Sequence, residues 1–246
     1  MSNYNEFRVG GFRILPPVIK NLLIINGIFF LATYALRNTV DLTDVLGLHF
    51  ITAQKFQFYQ LVTYMFMHGS VTHIFFNMFA LWMFGSALES FWGSKRFLVY
   101  YFVTGIGAGI VQEITWTVQL WDILQPHIEI VDFGGYELVA KADFLNRLIT
   151  VGASGSVFGL LLAFGMLFPN ALIYVYFLFP IRAKWFVIIY GAIELFNGVV
   201  GTNDGIAHFA HLGGMIFGIF LILYWRNKAK RKIKRMQQQY FFHQNC

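Results

Sequence analysis

The chain has 246 residues, 57% of them hydrophobic and only 12% charged, and its mean hydropathy is +0.59. A soluble domain carries about 25% charged residues, so composition excludes one and points to an integral membrane protein in contact with the lipid bilayer. The formal net charge of +6 gathers mostly in residues 226–235, directly after a long apolar run, which argues for anionic headgroups and against nucleic acid as the partner of that tail.

In chain order, residues 1–17 lack the apolar core of a signal peptide and read as a short cytoplasmic arm, so insertion is expected to rely on the spans themselves. A spanning helix needs about 20 mainly apolar residues. Six runs qualify: residues 18–36, 72–91, 97–120, 151–168, 184–200 and 207–225. The apolar stretch 171–179, bracketed by Pro169 and Pro180, is too short to cross and is expected to lie at the interface. The 29 Phe and 6 Trp suit lipid-facing surfaces and interfacial belts. The expected architecture is therefore an all-α membrane protein, a six-transmembrane-helix bundle over 18–225 followed by a basic cytoplasmic tail, 226–246. Cys246 is the single cysteine, so no intrachain disulfide is expected.

Charge in the connections alternates. Arg8, Arg13 and Lys20, then Lys95 and Arg96, then Arg182 and Lys184, then the tail, mark one side. The other connections are acidic or poor in Lys and Arg: Asp41 and Asp44 with Lys55; Asp122, Glu129, Asp132, Glu137 and Asp143 with Lys141 and Arg147; and Asp204. The positive-inside rule places both termini in the cytoplasm, as an even number of spans requires. The second, fourth and sixth spans then all begin at the outer face.

Three polar clusters share that outer depth: residues 68–77, 152–155 and 207–214. Unsatisfied polar groups in lipid cost several kcal/mol, so their coincidence suggests chemistry inside the bilayer. Ser154 is a candidate nucleophile, and a serine needs an adjacent base; His211 is the candidate base. No carboxylate stands obviously beside it, Asp204 being seven residues away in a loop, so a Ser-His dyad is expected rather than a triad. Phe158, one turn after Ser154, is expected to pack against the imidazole. His73 and Asn77 share a helix face and, with the backbone N–H of Ser154, supply donors for an oxyanion. Gly155, Gly159 and Ala163 form one small-residue stripe and Ala210, Gly214 and Gly218 another; facing each other, they would bring Ser154 to His211. His68 and His208 read as structural hydrogen-bonding groups, and Gln112, Glu113, Glu194 and Asn197 as packing contacts or helix-end groups, with Glu194 facing a lateral gate if the fifth helix forms one. The outer histidines lack the His-Glu-x-x-His pattern, and no metal is expected.

The motifs His-x₄-His-x₃-Asn at His68, His73 and Asn77, Gly-x-Ser-Gly at Gly152 to Gly155, and Ala-His-x-Gly-Gly at Ala210 to Gly214 together resemble the rhomboid family of intramembrane serine proteases, over all six spans. The resemblance implies Ser154 as nucleophile, His211 as general base, His73 and Asn77 as oxyanion donors, and cleavage of transmembrane protein substrates near the outer face without metal or cofactor. It also implies that Glu89 is a buried hydrogen-bond hub. Two features depart from the pattern: Tyr59-Gln60 stands where many members carry Trp-Arg, and the connection 121–150 is long and acidic. The expected setting is the plasma membrane of a prokaryote. The alternatives are an inactive rhomboid-like protein that binds membrane clients, against which Ser154 and His211 both stand, and a channel or transporter, which would need polarity through the whole bilayer.

Overall fold

The structure is a computed structural model and describes residues 14–133, 137–175, 178–201 and 206–244. Most of the expected arm, with Arg8 and Arg13, lies outside those residues, as do Asp204 and Cys246. The helices are α1 (Pro17–Leu36), α2 (Leu42–Leu46), α3 (Gln60–Thr63), α4 (Val71–Trp92), α5 (Ser94–Gln119), α6 (Lys141–Asn146), α7 (Ser154–Leu167), α8 (Ala183–Val200) and α9 (His208–Gln244). Three two-stranded pairs join them: β1 (Leu48–His49) with β4 (Ile149–Thr150), β2 (Ile130–Phe133) with β3 (Glu137–Ala140), and β5 (Leu172–Val175) with β6 (Phe179–Arg182), all antiparallel.

The six expected runs are all helical, but only five helices, α1, α4, α5, α8 and α9, are long and apolar enough to cross a membrane among the described residues. The fourth run is the exception. Its helix, α7, has 14 residues, about 21 Å at 1.5 Å per residue, against an apolar core of about 30 Å. The preceding backbone is extended because residues 149–150 pair with 48–49, Gly152 donates its N–H to the Tyr64 carbonyl at 2.9 Å, and Gly152 takes φ +132°. Irregular backbone at such a place is tolerable only when protein satisfies it, and here it does.

α7 packs against α4, α5, α8 and α9 and is nearly all buried. Hydroxyls bind it to α5: Tyr100 donates to the Gly159 carbonyl at 2.8 Å, and Ser156 to that of Tyr101 at 2.7 Å. The small-residue stripes do not face each other along their length. A Cβ at Gly155 would collide with Ala108, and one at Gly159 would lie 2.7 Å from Thr104, so the α7 stripe faces α5. α7 and α9 pack along one another and come closest where a Cβ on Gly214 would run into the Gly155 carbonyl.

Glu89, near the end of α4, accepts from the backbone N–H groups of Val18 and Ile19 at 3.1 and 2.9 Å and from the Ser94 hydroxyl at 2.6 Å. It thereby satisfies open N–H groups in the first turn of α1, where the helix dipole favours a carboxylate. Gln60 is fully buried and ties the first outer loop: its carbonyl oxygen accepts from His49 N and Gln57 N, and its amide donates to the Val45 and Lys55 carbonyls. Glu113 anchors the same loop to α5 by accepting from Ile51 N at 2.7 Å.

The acidic connection carries the β2–β3 hairpin and α6 over a small apolar cluster that includes Phe50, Val139 and Phe144. Residues 172–175 of the short apolar stretch form β5, which pairs with β6 at 179–182. The basic tail is no separate element: α9 runs unbroken from His208 to Gln244, since Lys, Arg, Gln and Met all favour helix. Arg96 stacks over Trp225 at 4.6 Å, so the α4–α5 turn and the end of the apolar part of α9 share one end of the bundle. Large apolar side chains such as Ile24, Leu31, Ile188, Phe196 and Val199 are exposed on α1 and α8, as lipid contact demands.

Candidate active site

Ser154 is the first residue of α7, so its N–H has no acceptor within the helix. The turn that delivers it depends on Gly152. An L side chain is strained at φ +132°, and a Cβ there would sit 2.8 Å from His73 Nε2 and 3.4 Å from Ser154 Oγ. Gly152 is thus where the first turn of α4 and the start of α7 come within reach of each other.

His211 lies one turn into α9, three residues after His208 on the same helix face. Its Nε2 is 2.9 Å from Ser154 Oγ, and its Nδ1 is 2.9 Å from Glu194 Oε2 on α8. His208 Nδ1 reaches the same carboxylate oxygen at 2.8 Å. All three of Glu194, His208 and His211 are buried. Phe158 stacks on the His211 imidazole, with centroids 4.2 Å apart and an interplanar angle of 8°. The stack continues to Tyr190 and then Phe186 on α8.

The expectation that no carboxylate stands beside His211 is wrong in geometry. Glu194 is seventeen residues upstream on another helix, so sequence proximity could not reveal it. The available signal was its type: a lone carboxylate in an apolar helix is expensive unless partnered, and His208 and His211 are suitable partners. It is also more than a packing contact or helix-end group. His208 Nδ1 hydrogen-bonds to that carboxylate.

The remaining site residues divide by place. His73 faces the Ser154 turn, and its N–H is capped by Ser70 Oγ at 3.1 Å. Asn77 is buried, and its amide donates one hydrogen to the His73 carbonyl at 3.0 Å, leaving a second. His68 is buried, with only 3% of its surface exposed, and its ring lies edge-on to His73 with centroids 5.0 Å apart. Burial, with the neighbouring His73 adding to it, pushes His68 down to about 4. Glu89 serves α1 at the far end and takes no part here.

Glu194, His208 and His211 each offer a metal-ligand atom, all within 4.8 Å of one another. Ligands around a tetrahedral ion stand roughly 3.3 Å apart. The contacts of 2.8 and 2.9 Å to one shared oxygen are of hydrogen-bond length. The arrangement is an imidazole poised between a hydroxyl and a carboxylate, which is the geometry of an activated serine nucleophile.

The family description "Rhomboid domain" matches residues 55–228. Among curated proteins, the chain is 30% identical to RHOMBOID-like protein 6, mitochondrial, of Arabidopsis thaliana, over 66% of this chain and 42% of that protein. It is 30% identical to Rhomboid protease GluP of Bacillus subtilis over 67% of this chain and 25% of that one. It is 25% identical to Bacillus subtilis YdcA over 89% of this chain and 93% of that one. The chain therefore spans less than half the length of the first two and nearly all of the third.

Proposed function

The chain belongs to the rhomboid family, an integral membrane fold, and from that premise we propose that it is an intramembrane serine endopeptidase in which Ser154 is the nucleophile and His211 the general base. The observation that carries this reading is the 2.9 Å contact between His211 Nε2 and Ser154 Oγ, made between the start of α7 and the first turn of α9, which a glycine contact holds together.

The cycle follows from that contact. Ser154 Oγ attacks the scissile carbonyl carbon while its proton passes to His211 Nε2. The carbonyl oxygen becomes an oxyanion, and the Ser154 N–H, the second amide hydrogen of Asn77 and the His73 ring are the donors available to it. Collapse breaks the C–N bond, and the proton on Nε2 goes to the leaving amine. Water then attacks the acyl-enzyme, giving its proton to His211 Nε2, which returns one to Ser154 Oγ as the acid product leaves. No metal or cofactor takes part. Substrates are transmembrane proteins that unwind locally near the outer face, so segments with helix-breaking residues are preferred. In this reading both termini lie on the cytoplasmic side of a prokaryotic plasma membrane, which the basic connections support.

The test is cleavage of a generic transmembrane substrate by purified protein in detergent. Ser154→Ala and His211→Ala should each lose essentially all activity, while an inactive client-binding protein would show none in the wild type either. Undiminished cleavage by either variant would remove the mechanism.

A further inference from the structure

The bond from His211 to Ser154 accounts for only one edge of the imidazole. For Nε2 to accept the serine proton, the resting ring must carry its hydrogen on Nδ1. That hydrogen needs an acceptor, and Glu194 Oε2 stands 2.9 Å away. The same oxygen receives His208 Nδ1 at 2.8 Å. We propose that Glu194 is a positioning residue that holds His211 in the proton-accepting tautomer, so that the site is a Ser154–His211–Glu194 triad braced by His208. This rests on the proposed function above and goes beyond the dyad that the motifs imply.

Three observations carry it. The carboxylate is shared between two imidazoles one turn apart, which fixes its oxygen from both sides and leaves His211 little freedom to rotate. Phe158 stacks on the ring face, so edge and face are both constrained. Glu194 also sits on a helix that otherwise has little reason to bury a charge: of the 18 residues of α8, only Ala183, Val187 and Glu194 are buried, the first two in its opening turns. The groups facing His211 are Ser154 from α7, His73 from α4, Glu194 from α8 and His208 from α9 itself. Among them Glu194 is the one anion, placed to stabilise the imidazolium as the proton arrives. It keeps its own charge throughout; protons pass only among Oγ, Nε2, the leaving amine and the attacking water.

One set of measurements decides the matter. Glu194→Ala and the isosteric Glu194→Gln are compared with wild type and Ser154→Ala for kcat and KM on a transmembrane substrate and for the rate of labelling by a fluorophosphonate. Glu194→Ala should lower kcat roughly 10²-fold with KM unchanged within twofold, and labelling should fall in proportion. Glu194→Gln, which keeps an acceptor but not the charge, should fall between. Wild-type protein labelled on histidine ring nitrogen should show a strongly deshielded Nδ1–H proton that disappears in His211→Ala; this needs no Glu194 variant to fold. Retention of kcat and labelling within threefold in both Glu194 variants, a loss confined to KM, or absence of the deshielded proton would overturn the proposal. Cleavage by Ser154→Ala equal to wild type would instead defeat the protease reading, and the proton resonance would still judge the Glu194 contact.

Discussion

Two residues near the nucleophile show how single positions shape the site. Gly152→Ala should cost about 1–3 kcal/mol in backbone strain and push the new methyl against His73 Nε2. We expect at least tenfold lower kcat and a lower melting point in detergent, read by cleavage kinetics and thermal unfolding. His68 makes the fold pH-sensitive. Buried, it protonates only near about 4, whereas the unfolded chain protonates it near the ordinary 6.5. Between those values the unfolded state binds more protons, so stability is complete above 6.5 and falls as pH drops toward 4. His68→Phe should flatten that part of the stability–pH curve. His68 was visible in the motif, but its burial was not, because burial of a loop residue depends on what closes over it.

At the scale of elements, hydropathy locates the long helices to within a few residues except at the end of α9, which runs on through the basic segment to Gln244, since twenty apolar residues in lipid have almost no alternative to helix. It fails at α7. The apolar run starting at Val151 reads as a span, yet strand pairing and Gly152 hold its beginning extended, and enclosure by four helices lets it be short. The facing of the glycine stripes was equally hidden: spacing reveals that a helix has a small face, but not which neighbour meets it. The glycines make a direct test. Gly214→Ala drives a methyl into the Gly155 carbonyl and should destabilise the bundle and abolish activity. Gly27→Ala, with open space around it in α1, should be neutral or stabilising by about 0.5–1 kcal/mol. Glu89→Ala opens the first turn of α1 and strands the Ser94 hydroxyl, which should cost on the order of 3 kcal/mol. Denaturant titration of all three variants checks these signs.

Across the whole molecule the polarity is one-sided. Lys95, Arg96 and Trp225 gather at one end, and the first turns of α4, α7 and α9 carry the hydroxyl, imidazole and amide groups toward the other. This asymmetry was readable from charge alone. In a Cys246→Ser background, an impermeant maleimide applied from outside should label a cysteine at His127, in the acidic connection, and spare one at Lys95. The site as a constellation was half readable: motifs find Ser154, His211, His73 and Asn77, while Glu194 becomes visible only when α8 lies against α9. The account stands or falls on whether His211 activates the Ser154 hydroxyl. The most direct measurement is mass-spectrometric mapping of a fluorophosphonate adduct on the folded protein. The adduct should sit on Ser154 and be lost in His211→Ala; an adduct elsewhere, or equal modification of Ser154 without His211, would contradict it.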